Sequence, residues 1–276
     1  MRIGVDCSQH QLSWDALLDR VRFAEDLGFH GAWVFDHFKA LYGDPTGPCL
    51  ESWTLLSALG AATSRIRLGA LVTGVTYRHP SMLAMEAVTV DHVSSGRLEL
   101  SLGAAWFEPE HRELGFDFPS PGERGRRLDE ALQVVKLLMT EDGGTFEGRY
   151  YRLENASYHP KPVQQPHPPI WVGAGGEKVM LPLAGRHADV WHGFGHVTEL
   201  DRKWRIVAAH AERAGRDPAT ITRSTSLSIS ESWDEVKATA ARLRDAGIGY
   251  VIASWPAEGK GRVEEFWEKV VPELTS

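Results

Sequence analysis

Ile170-Trp171-Val172-Gly173-Ala174-Gly175-Gly176-Glu177-Lys178 runs an apolar strand straight into glycines and then into a helical pattern. A glycine turn that feeds a helix N-terminus presents unpaired backbone N–H groups and the positive helix end, which together suit a phosphate. The same glycines also serve tight strand-to-helix turns that hold no ligand. What decides between these readings is whether the rest of the chain repeats the strand-then-helix unit.

It does. Working outward, strands are expected at residues 3–6, 31–35, 66–72, 98–102, 170–172, 189–191, 222–229 and 250–254. Helices are expected at residues 14–27, 52–62, 81–93, 123–140, 177–188, 201–213, 232–246 and 262–274, with apolar residues at helical spacing and cap residues such as Ser13 and Gly28. Eight strands alternating with eight helices in 276 residues predict a (β/α)8 TIM barrel. We read residues 1–276 as a single domain, with an excursion between the fourth helix and the fifth strand: a small hairpin near Phe146 to Tyr151, then five prolines before Ile170. A doubly wound sheet is the alternative, but the first strand lacks G-x-G-x-x-G, and no P-loop pattern occurs.

The net charge of -7 comes without a basic run, so no nucleic acid or anionic membrane is expected as a partner. Cys7 and Cys49 form no C-x-x-C pair, and no apolar run reaches the length of a membrane span; a cytoplasmic protein is expected. His187, His192 and His196 lie close in sequence but lack companion carboxylates, so no metal is expected. Paired carboxylates for glycoside hydrolysis are not evident either.

Barrel active sites lie at the C-terminal strand ends, which selects Asp6, Asp36-His37, Val72-Thr73-Gly74, Gly103-Ala104-Ala105-Trp106, Gly173-Ala174-Gly175-Gly176, Trp191-His192 and Ser254-Trp255. Asp36-His37 offers an imidazole and a carboxylate for proton transfer, although a capping Asp and a backbone-satisfied His give the same pattern. Trp33 and Trp171 fall inside strands and are expected in the core; Trp106 follows a turn and is expected at a pocket. Glu108 and Glu110 read as acidic surface, although Glu110 could reach a cofactor.

Five segments taken in order carry a resemblance: Phe35-Asp36-His37-Phe38, Thr63-Ser64-Arg65-Ile66-Arg67-Leu68-Gly69, Asp91-His92-Val93-Ser94-Ser95-Gly96-Arg97, Leu102-Gly103-Ala104-Ala105-Trp106-Phe107, and the stretch quoted first together with Pro169. Together they resemble the bacterial luciferase-like monooxygenase superfamily, in its coenzyme F420-dependent oxidoreductase branch. The resemblance implies a barrel whose mouth holds a flavin or deazaflavin ring, with the cofactor phosphate in the glycine turn. It implies that Asp36 and His37 meet the ring or the substrate, His37 passing a proton and Asp36 orienting or polarising. It also implies a non-prolyl cis peptide behind the ring, by position Leu71-Val72, followed by Thr73.

Cofactor contacts are thus expected from Leu71, Val72, Thr73, Gly103, Ala104, Trp106, Glu110, Gly173, Ala174, Gly175, Gly176 and His192. Ala105 stands where the family usually has Gly, and His192 where relatives often have Asn. The implied activity is F420-dependent hydride transfer to or from a small organic substrate. The alternatives are an FMN-dependent two-component monooxygenase and a flavin-binding relative without turnover. A homodimer is the assembly that the resemblance implies.

Overall fold

The computed structural model describes residues 1–275. Its parallel strands are β1 (Arg2–Asp6), β2 (Gly31–Val34), β3 (Arg67–Ala70) with its short continuation β4 (Thr73–Gly74), and β5 (Leu98–Gly103). After the hairpin β6 (Gly144–Glu147) and β7 (Arg152–Ala156) come β8 (Ile170–Gly173), β9 (Val190–His192), β10 (Thr222–Leu227) and β11 (Tyr250–Ala253). The ladder runs β3-β2-β1-β11-β10-β9-β8-β5, and β3 also pairs with β5, Leu68 opposite Leu98, which closes an eight-stranded barrel. The TIM barrel expected from the alternation is therefore the fold.

Helices α1 (Trp14–Leu27), α2 (Ser52–Ala62), α3 (Pro80–Val93), α4 (Glu108–Leu114), α5 (Pro121–Thr140), α6 (Met180–His187), α7 (Val197–Arg213), α8 (Trp233–Asp245), α9 (Lys260–Lys269) and α10 (Val271–Thr275) surround it. Local chemistry sets their ends. Ser13 accepts from the Ala16 N–H at the start of α1, and Gly28 closes that helix at φ 100°, a left-handed value that glycine adopts without a Cβ penalty. Ser232 and Glu235 form a reciprocal capping box on α8.

Four expectations need correction. The third strand is interrupted after Ala70 by a cis Leu71–Val72 peptide and resumes as β4. The helix after the glycine turn starts at Met180 rather than Glu177, because the turn continues through Val179, whose apolar side chain makes no capping hydrogen bond. The last helix breaks into α9 and α10 beside Pro272, which has no N–H to extend a helix. Helix α4, which carries Glu110, was not anticipated: at seven residues it is too short to show a helical period.

Inside the barrel Trp33, Trp171, Tyr250, Val190 and Ile252 form a buried plug, distinct from the aliphatic layer between strands and helices. Gly31 and Gly69 make room for it: a Cβ on Gly31 would sit 2.6 Å from the Tyr250 hydroxyl, and one on Gly69 would sit 2.5 Å from the Trp33 ring. Trp33 and Trp171 are thus core residues, as expected. Leu71 packs on the same plug, so the barrel filling supports the interrupted strand from below.

Candidate active site

A cleft of about 440 Å³ opens at the C-terminal strand ends, within the size range of small-molecule sites. Its walls bring together twelve of the residues singled out in the sequence: Asp36 and His37 after β2, Leu71 and Val72 at the cis bond, Gly74 in β4, Gly103, Ala104, Ala105 and Trp106 at and after the end of β5, and Gly173, Gly175 and Gly176 at and after the end of β8. Trp106 is 63% exposed at the mouth, its ring 5.8 Å from that of His37. Ala105 holds a left-handed φ of 56°, the conformation that the glycine usual at this place takes without penalty.

Four expected contacts do not line the cleft. Thr73 and Ala174 are buried in the strand layer. His192 lies fully buried between β9 and β10, its Nδ1 3.0 Å from the Ser224 hydroxyl and its Nε2 3.4 Å from that of Ser226. Burial pushes its pKa down to about 3, so it is a neutral structural histidine. Glu110 is the fourth, and it sits directly beneath the cleft.

The Glu110 side chain is fully buried and accepts four hydrogen bonds: from the Phe38 and Lys39 N–H groups at 2.7 and 3.0 Å, from the Tyr77 hydroxyl at 2.6 Å, and from His37 Nδ1 at 3.0 Å. Burial alone would raise its carboxyl, but the bonds from His37, Tyr77 and Phe38 outweigh it and hold the group below the usual glutamate range. An ionised carboxylate only accepts, so the proton of His37 on this side is fixed on Nδ1. The Nε2 atom has no partner among the described residues, on a side chain 12% exposed to the cleft. A carboxylate that fixes the tautomer of an imidazole is the arrangement of a general acid–base pair.

Asp36 plays a different part. Both its oxygens are engaged: Arg78 pairs with them at 2.6 and 3.2 Å, the Ser52 hydroxyl donates at 2.6 Å, and the Gly74 N–H donates at 2.9 Å. Arg78 also meets Glu51 at 2.9 Å and Glu86 at 3.4 Å. Although burial favours a neutral arginine, these carboxylates push its pKa up. The carboxylate of Asp36 therefore ties the end of β2 to β4, just past the cis bond, and positions His37 next to it in sequence.

The glycine turn divides in two. A Cβ on Gly173 would meet Val72 at 2.8 Å, and one on Gly103 would meet it at 2.4 Å, so these two glycines make room for the Val72 side chain. Gly175 and Gly176 face no such demand: neither has a left-handed φ, and an added Cβ would come no closer than 3.8 Å to Lys203 Nζ and 3.6 Å to Met180. Neither packing nor backbone conformation requires glycine at these two positions. Two cations flank this part of the site. Lys203 is 8% exposed, with Nζ 3.2 Å from the Phe194 carbonyl and ion-paired with Glu199 at 2.7 Å, and Arg124 is 8% exposed, with Nε 2.9 Å from the Ala104 carbonyl.

Sequence reasoning missed Tyr77, Arg78, Arg124, Met180 and Phe194. The strand-end rule stopped at Gly74, yet the continuation β4 carries the third strand to that residue, so the residues following it, Thr76 to Arg78, belong to the mouth. Among the described residues no group of three His, Cys, Asp or Glu side chains could hold a metal ion.

The luciferase-like monooxygenase family model matches residues 1–269. The chain is 31% identical over 258 residues to the F420-dependent hydroxymycolic acid dehydrogenase of Mycobacterium tuberculosis, covering 93% of this chain and 70% of that one. It is 29% identical over 265 residues to the FMNH(2)-dependent dimethylsulfone monooxygenase of Pseudomonas putida, covering 92% and 72%. In fold it matches an F420-dependent secondary alcohol dehydrogenase solved with an F420-acetone adduct, at a TM-score of 0.88, 20% identity and coverage of 99% and 98%. The chain belongs to the luciferase-like monooxygenase family.

Proposed function

We propose that this protein is a coenzyme F420-dependent oxidoreductase that moves a hydride between the deazaflavin and a small organic substrate. The observation that carries the reading is the His37–Glu110 pair, which presents a free imidazole nitrogen to a largely apolar cleft. The relatives named for F420 support the choice of cofactor; besides the dehydrogenase above, they include the F420-dependent glucose-6-phosphate dehydrogenase of Kineococcus radiotolerans, 32% identical over 243 residues and covering 86% of this chain and 70% of that one.

The residues present fit the group. Gly175 and Gly176, free of any packing role, with Lys203 and Arg124 beside them, would hold its phosphate; Leu71 and Val72, standing on the aromatic plug, would support its ring. When bound, the deazaflavin supplies two-electron hydride chemistry. His37 does the proton work at Nε2: it takes the proton of a substrate hydroxyl in one direction and returns it in the other. Glu110 holds the proton on Nδ1 throughout and stabilises the imidazolium. Trp106 and Phe194, both exposed at the rim, shield the cleft from water.

FMN in a two-component monooxygenase is the second reading, favoured by the dimethylsulfone monooxygenase relative. The direct test is His37→Ala. The expected result is loss of hydride transfer with F420 affinity kept; full turnover in this variant contradicts the assignment.

For assembly we infer a homodimer, as the resemblance to the family implies. Sedimentation at micromolar concentration checks it. No described helix is long and apolar enough to cross a membrane; a cytoplasmic location remains our reading, and Cys7 and Cys49 are both free.

A further inference from the structure

Across the barrel mouth from the glycine turn, a second cavity of about 220 Å³ lies between the ends of β1 and β11. Its chemistry differs from that of the main cleft. Asp6 closes β1; its Oδ1 accepts from the Ser8 N–H at 2.8 Å and from the Ser8 hydroxyl, while Oδ2 has no partner among the described residues. Arg20 reaches up from α1 and lies over the Trp255 ring at 4.3 Å, and its guanidinium makes no hydrogen bond or ion pair among the described residues. His10 accepts from the Leu41 N–H at 3.0 Å through Nδ1, which leaves Nε2–H as a donor; burial pushes its pKa down to about 4, so it is neutral. Ser254 and Tyr42 complete the wall.

The site thus carries a carboxylate oxygen and a guanidinium without hydrogen-bond partners among the described residues, and a neutral donor in His10. Asp6 and Arg20 attract each other across the cavity, yet burial still raises the Asp6 carboxyl above its usual range, so a group that bridges the two is favoured. A carboxylate or phosphate would satisfy Arg20 but meet Asp6; an ammonium would do the reverse. Hydroxyl groups both donate and accept, so adjacent hydroxyls reach both partners. The cavity is also next to the chemistry, because the His10 ring stacks on Phe35 at 3.7 Å and Phe35 lies 5.4 Å from His37.

We propose that the cavity lined by Asp6, Arg20, His10 and Trp255 is the subsite for the hydroxylated end of the substrate, a polyol or sugar ring with adjacent hydroxyls. Calling the bound molecule a substrate rests on the hydride-transfer reading; the binding itself does not. The test is saturation-transfer NMR with D-sorbitol on the full chain without cofactor, for wild type, Asp6→Asn and Arg20→Met, with F420 affinity measured in parallel by fluorescence. The expected result is sorbitol binding to wild type, weakened about tenfold or more in each variant, as for a hydrogen bond to a charged group, with F420 affinity unchanged.

Asp6→Asn keeps the side-chain shape and carries the test alone if Arg20→Met does not fold. Absence of sorbitol binding to wild type, or equal binding in the variants, overturns the proposal. So does displacement of sorbitol by inorganic phosphate that depends on Arg20 alone, and so does parallel loss of F420 affinity. Intact sorbitol binding with no turnover of any alcohol would refute the hydride-transfer reading while leaving the subsite standing.

Discussion

Glu110 Oε2 lies 3.0 Å from Nδ1 of His37, and this contact leaves Nε2 as the one nitrogen of the ring open to the cleft. The imidazole is oriented by a carboxylate from a short helix 73 residues further along the chain. The pair forms only because α4 folds back under the residues that follow β2.

Glu110→Gln keeps the side-chain shape but removes the charge that stabilises the imidazolium. The expected loss in hydride transfer is roughly 10²- to 10⁴-fold, the range for a positioned acid–base group. Cofactor affinity is expected to stay within about twofold. Single-turnover rates at saturating F420 check this prediction, and an unchanged rate contradicts the role given to Glu110.

The two halves of the glycine turn answer differently to alanine. Gly175→Ala and Gly176→Ala meet no packing conflict, so stability is expected to stay within about 0.5 kcal/mol. Cofactor affinity is expected to fall about tenfold or more, roughly 1.4 kcal/mol. Gly103→Ala drives a Cβ to 2.4 Å from Val72 and is expected to destabilise the fold by about 1–3 kcal/mol. Thermal melts and cofactor titrations of the three variants separate the effects.

Arg78 neutralises the buried Asp36 carboxylate. Arg78→Met strands that charge and is expected to cost about 3–5 kcal/mol. Asp36→Asn removes the partner of a mostly buried arginine and is expected to destabilise in the same direction. Denaturant unfolding measures both; a variant of normal stability but no activity would instead make Asp36 a proton carrier.

His192 gives a pH signature. Its pKa falls from 6.5 to about 3 on burial, so between those values only the unfolded chain takes up its proton. Stability therefore drops as pH falls through this window, by about 1.4 kcal/mol per pH unit from this residue. His192→Asn is expected to make the dependence shallower by one proton, as read from unfolding curves at pH 6.5 and pH 5.

The barrel was legible in the sequence because βα alternation is a period that local residues display, and the strand-end rule then led to Asp36, His37 and the turn after β8. What escaped depends on contacts between distant segments. Asp36 reads as a catalytic carboxylate until Arg78, 42 residues on, is seen to occupy it. Glu110 reads as acidic surface because a seven-residue helix carries no period, although only its neighbours such as Arg112 and Glu113 are in fact exposed. His192 sits at a strand end but faces Ser224 across the sheet, and side-chain direction there depends on register, which sequence spacing does not report. The distinction between the structural Gly173 and the unconstrained Gly175 likewise requires knowing where the Val72 side chain lies.

On the proposed function, the cleft between His37 and the glycine turn is a deazaflavin site used for hydride transfer. Titration of purified protein with F420 and with FMN, each followed by fluorescence in wild type and in Gly175→Ala, tests it most directly. Saturable binding of F420, weakened by the substitution, is expected, with FMN bound more weakly or not at all. Tight binding of FMN without binding of F420 would contradict it.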